Sequence, residues 1–181
     1  MVEYSDPIPT RASKVAVSTF AEQLAINLEF KAGDPLDPLV SQLSGKITYR
    51  NPIGAEKPES IRIEPTGEFE IFLPSVTSLG RDRFTIAHEL GHLFLHFPLV
   101  QNSRPENGMK ATRWVDETNQ DLQRCEWEAN WFAASFVMPS GSFREACRQY
   151  GSISTVASIF GVTEAAVRVR ASTLNVEALN N

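Results

Sequence analysis

Arg83-Phe84-Thr85-Ile86-Ala87-His88-Glu89-Leu90-Gly91-His92-Leu93-Phe94-Leu95-His96 is a largely apolar stretch into which histidines and a glutamate are set at helical spacing. It predicts a helix over residues 81–97, stopping at Pro98. His88 and His92 are four residues apart, about 1.1 turns, so both imidazoles lie on one face and can share one metal ion. Glu89 sits to one side of that pair, placed to take a proton from a metal-bound water rather than to ligate. Gly91 removes bulk beside the site. Burying this polar set in an apolar helix is costly unless it has a partner. Zinc needs a third protein ligand. His96 lies eight residues beyond His88, about 12 Å along a helix, too far to share one ion. The longer pattern HExxHxxGxxH fails, because Leu95 and Pro98 stand at its glycine and third histidine. The third ligand must come from another segment.

A second helix is expected over residues 122–137, in the run Glu126-Trp127-Glu128-Ala129-Asn130-Trp131-Phe132-Ala133-Ala134-Ser135-Phe136-Val137-Met138-Pro139. Glu126 and Asn130 share a face. Glu126 is the candidate third ligand, and Asn130 is placed to orient a ligand histidine through its other ring nitrogen. Glu128 points about 200° away from Glu126 and reads as a solvated surface charge. Ala133 and Ala134 read as the small residues that let the two helices approach.

The two motifs together resemble the ImmA/IrrE family of metallopeptidases, over about residues 45–172. The resemblance implies a gluzincin-like zinc site, with His88, His92 and Glu126 as ligands and Glu89 as catalytic base. It also implies a bacterial or phage protein. Characterised members cleave, or promote loss of, a helix-turn-helix transcriptional repressor; others accompany such a regulator in toxin–antitoxin-like gene pairs. The expected function is therefore site-specific endoproteolysis of a protein partner. Two other readings stay open: a non-enzymatic, partner-binding regulator with a structural zinc, and a DNA-binding protein acting through its C-terminal helices.

The rest of the chain frames the site. Residues 11–30 predict a helix through Val15, Val17, Phe20, Leu24, Ile26 and Leu28, and 39–44 a short one. Strands are expected at 46–51, 60–64 and 68–73, the last two joined by a turn at Pro65-Thr66-Gly67. Residues 98–120 read as one long loop, and 142–149, 153–160 and 164–172 as short helices with a helix-turn-helix rhythm. The expected fold class is α+β, a small antiparallel sheet beside a zincin-like helix. Its parts are a peptidase domain at 1–139, a helical subdomain at 140–175 and a tail at 176–181. The strand at 69–73 is a candidate edge for an extended substrate. Tyr49, Arg83 and Tyr150 are candidates to stabilise an oxyanion.

Composition limits partners and place. The 181 residues are 42% hydrophobic, enough for a core, and the formal net charge is −5. That balance disfavours phosphate binding, and hence DNA, although Arg168 and Arg170 on the last helix are candidate phosphate contacts. Cys125 and Cys147 form no CxxC pair, and the N-terminus has no apolar run. No stretch approaches the roughly 20 apolar residues of a membrane helix. A cytoplasmic protein is expected.

Overall fold

A computed structural model describes residues 2–51, 58–114, 116 and 118–176. Its sheet follows from short runs of β-branched and aromatic residues. Ile61, Ile63, Ile71 and Leu73 have no exposed surface. The strands are β1 (Tyr4–Ser5), β2 (Gly45–Tyr49), β3 (Glu59–Ile63), β4 (Phe69–Leu73) and β5 (Gly108–Thr112), in the order β1-β5-β3-β4-β2. The inner strands β5, β3 and β4 are antiparallel, while β2 and β1 add in parallel at the two edges. The turn at 65–67 forms as expected, with Glu64 N–H on Glu68 O at 2.8 Å. Because β2 pairs beside it, β4 is an interior strand and not the substrate edge its sequence suggested.

Residues 98–120 are not one loop. Helix α4 (Phe97–Ser103) and strand β5 lie within them. Pro98 does not end the helical path, because a wide π turn at His92–His96 intervenes and Phe97 N–H bonds His92 O, five residues back. Pro98 then sits in the first turn of α4, where its missing N–H costs nothing.

Helix α1 (Lys14–Asn27) starts on Ser13, whose side chain accepts from Ala16 N. It buries Val17, Ala21 and Ala25, whereas Val15 and Ile26 face solvent. Helix α2 (Leu36–Gln42) begins three residues earlier than expected, on Leu36. Helix α5 (Gln120–Val137) packs between α1 and α3 (Leu79–Gly91). Helices α6 (Ser140–Tyr150), α7 (Ile153–Phe160) and α8 (Glu164–Thr173) follow, separated by Gly151 and Gly161 at φ 65° and 63°. That left-handed backbone favours glycine.

Arg170 of α8 is buried, not presented to a phosphate. Its guanidinium donates to Met138 O at 3.0 Å, Ser135 Oγ at 3.2 Å and Glu22 Oε1 at 3.2 Å. It therefore ties α8 to α1 and α5. Arg168 pairs with Glu164. Among the described residues no helix is long and apolar enough to cross a membrane.

Candidate metal centre

Helix α3 carries His88 and Glu89 into the interior, His92 opens the π turn, and α5 brings Glu126 opposite. The two helices cross closely at Gly91. A Cβ there would sit 3.0 Å from Ala129 Cα and 3.3 Å from Phe132 Cβ. The close contact thus falls on Ala129, one turn before Ala133.

The crossing brings three donors together. His88 Nε2 lies 3.2 Å from His92 Nε2, and Glu126 reaches each of them at 3.2 Å with a different oxygen. Two bonds of about 2.0–2.1 Å at a tetrahedral angle hold their ligand atoms about 3.3 Å apart. The three side chains are spaced as a first coordination shell requires, and two imidazoles with a carboxylate suit a borderline divalent ion. His88 Nδ1 donates to Asn130 Oδ1 at 3.1 Å, which leaves its Nε2 lone pair facing the other two donors. Asn130 is thus the hydrogen-bond partner of the His88 nitrogen remote from Glu126.

The electrostatics match this packing. Burial lowers His92 to about 4, so its ring is neutral at physiological pH. Burial opposes a proton on His88 too, but Glu126, Glu89 and Asn130 outweigh it and raise this group. Burial alone would raise Glu126, yet its bonds to His88 and His92 pull it well below its ordinary value.

Glu89 is 2% exposed and accepts from Ser60 Oγ of β3 at 3.1 Å. Burial pushes its carboxyl from an ordinary 4.5 to about 7, with His88, Ser60 and Arg113 opposing. A base titrating near neutrality is suited to both taking and returning a proton. The raised value also has a stability consequence. The metal-free folded state holds this proton more tightly than the unfolded chain does. As pH rises from 4.5 to 7 the unfolded chain releases this proton while the folded state keeps it, so the fold loses roughly 3 kcal/mol of stability, at about 1.4 kcal/mol per pH unit. Glu89→Gln cannot ionise. Without metal it should be more stable than wild type above pH 7, and the two should converge below about pH 4.5. Urea melts across that range check this; a difference independent of pH would contradict it.

Glu128 and His96 correct the sequence reading. Glu128 is fully buried rather than solvated. It does point away from Glu126, but that side of α5 is covered by the N-terminal segment and the π turn. Glu128 Oε1 accepts from Arg124 Nε at 2.8 Å, and Oε2 accepts from Thr10 N at 2.8 Å and His96 Nε2 at 3.1 Å. His96 has no exposed surface, and its other nitrogen meets His92 Nδ1 at 3.0 Å. Glu128→Ala leaves these donors unmatched and should cost about 3 kcal/mol in a denaturant titration. A change below about 0.5 kcal/mol, the size typical of surface substitutions, would contradict the burial.

The oxyanion candidates are placed elsewhere. Arg83 donates to Asp34 O and lies over the Phe30 ring. Tyr49 and Tyr150 are about half exposed, and the acids acting on Tyr49 are Asp82 and Asp37. Sequence reasoning missed Ser60 and Arg113, which act on Glu89 from β3 and from the end of β5. Neither belongs to a readable motif.

Residues 48–172 match the peptidase M78 family, the IrrE N-terminal-like domain. The chain belongs to this family of metallopeptidase-type domains. Among solved structures it is similar to a Mycobacterium tuberculosis transcriptional regulator, with 18% identity and a TM-score of 0.57 over 87% of this chain. The match spans 47% of that regulator, about half its length, and at this identity it shows a shared fold. A comparison with curated proteins finds no match.

Proposed function

We propose that the chain is a zinc-dependent endopeptidase that makes site-specific cuts in a protein partner, a helix-turn-helix transcriptional repressor. His88, His92 and Glu126 are the metal ligands and Glu89 is the catalytic base. The observation that carries this reading is the convergence of three donors 3.2 Å apart beside a buried glutamate that titrates at about 7. The repressor as substrate rests on the family resemblance.

Zinc, when bound, supplies Lewis acidity that polarises the scissile carbonyl and acidifies water. The chain's residues do the rest. His88, steadied by Asn130, and His92 present their Nε2 lone pairs, and Glu126 adds a negative charge. Glu89 holds the proton removed from water on its carboxylate and returns it to the leaving amine. Ser60 fixes which Glu89 oxygen faces β3. A groove of about 700 Å³ between α3, α5 and α8 is lined by Phe84, Trp127 and Trp131, with Asn130, the partner of His88, also in its wall. It offers an approach for an apolar stretch of substrate.

The test is to mix the purified, zinc-loaded protein with a candidate helix-turn-helix repressor from the same genome and to follow intact mass. Discrete fragments from one peptide bond, lost with a chelator and restored by zinc, are expected. Stable binding without any cut would favour a non-enzymatic regulator.

A further inference from the structure

We propose that His96 and Glu128 are positioning residues for His92. The hydrogen-bond chain Glu128–His96–His92 decides which His92 nitrogen is left bare for metal, and the N-terminal segment anchors that chain. This rests on the reading of His92 as a ligand.

The direction of the chain follows from donors and acceptors. Both Glu128 oxygens already accept from N–H groups, Oε1 from Arg124 and Oε2 from the Thr10 amide. A carboxylate so engaged is an acceptor only. At 3.1 Å from Oε2, His96 Nε2 must therefore carry the proton and donate. A neutral imidazole protonated on Nε2 accepts on Nδ1. At 3.0 Å from that atom, His92 Nδ1 must donate. His92 Nε2 is then bare, and it is this atom that faces His88 Nε2 and Glu126. With His96 neutral, each link has one arrangement, and it ends with a lone pair where a metal would sit.

Burial makes the chain consequential. Glu128 and His96 have no exposed surface and His92 has 1%, so no water competes for these bonds. The π turn brings the His92 and His96 ring centroids to 5.0 Å. A ligand histidine whose far nitrogen donates towards a carboxylate is a stronger metal donor. Here the carboxylate acts through an intervening ring. His88 leans instead on the neutral amide of Asn130, so the two imidazoles are unequally supported.

The anchor is this chain's own. Arg124 grips Glu128 and also the carbonyl of Ala12, and its guanidinium lies over the Trp131 ring. Thr10 and Ala12 fall outside residues 48–172, which carry the family match. Docking of the N-terminal segment and strength of the metal site are thereby coupled.

Zinc affinity of the full-length protein, read by competition with a chromophoric chelator, tests this without an activity assay. Glu128→Gln and His96→Phe should each weaken zinc binding by about 10- to 100-fold. His96→Gln, which can still accept from His92 Nδ1, should recover much of the loss. Thr10→Pro, which deletes one N–H donor to Glu128, should weaken binding in the same direction and by less. Folded Glu128→Gln and His96→Phe proteins that bind zinc within about twofold of wild type would overturn the proposal. Should those variants not fold, ¹⁵N spectra of the histidines in zinc-loaded wild type decide. His92 protonated on Nδ1 and His96 on Nε2 support the chain, and any other tautomer pair overturns it. Wild type that binds no zinc through His88 and His92 would instead remove the underlying metal-site reading.

Discussion

Glu89→Gln is expected to abolish partner cleavage while leaving metal content at the wild-type level. The amide has the shape of the acid and can still accept from Ser60 Oγ, so the packing around β3 survives. What is lost is the group that takes a proton from water and hands it to the departing amine. Losing a positioned general base of this kind costs about 10²- to 10⁴-fold. At the upper end no product accumulates on the timescale of the wild-type reaction. Zinc analysis and a time course on the same preparation separate the two properties. Wild-type cleavage by Glu89→Gln would sink the mechanism, and loss of zinc would make Glu89 part of the coordination shell instead.

Glu126→Ala should have the opposite profile, losing metal and activity together. Two histidines 3.2 Å apart remain, still facing each other, with no negative charge to balance a divalent cation. Stability falls with affinity, because metal that binds only the folded state stabilises it by mass action. At free zinc about 1,000 times the dissociation constant that contribution is roughly 4 kcal/mol. Wild type should therefore gain thermal stability on zinc addition and Glu126→Ala should not. Glu128→Ala should be destabilised even without metal, because its role in the fold does not require zinc. An equal zinc-dependent gain in Glu126→Ala and wild type would reassign the third ligand.

The local part of the site was legible because helix geometry is local. Four-residue spacing puts His88 and His92 on one face whatever surrounds them, and Glu126 and Asn130 repeat the device on α5. The angle between Glu126 and Glu128 was also legible. What lies on the far side of α5 was not, since Thr10 and Ala12 reach Glu128 and Arg124 from more than a hundred residues away. Nor does a hydrophobic period announce a π turn. Its extra residue carries the chain past Pro98 and lets His96 turn to Glu128 rather than continue an α-helical face. Strand β5 was hidden because only Met109 and Ala111 mark its buried side within a polar stretch. The edge placement of β2, parallel to β4, depends on a crossover that strand patterning does not encode.

As proposed, His88, His92 and Glu126 hold one zinc ion. This is tested most directly by diffraction from crystals of the full chain at wavelengths either side of the zinc absorption edge. A single anomalous peak per molecule is expected, about 2 Å from His88 Nε2, His92 Nε2 and an oxygen of Glu126. Zinc-replete crystals with no peak there, or with the peak between His96 and Glu128, would contradict it.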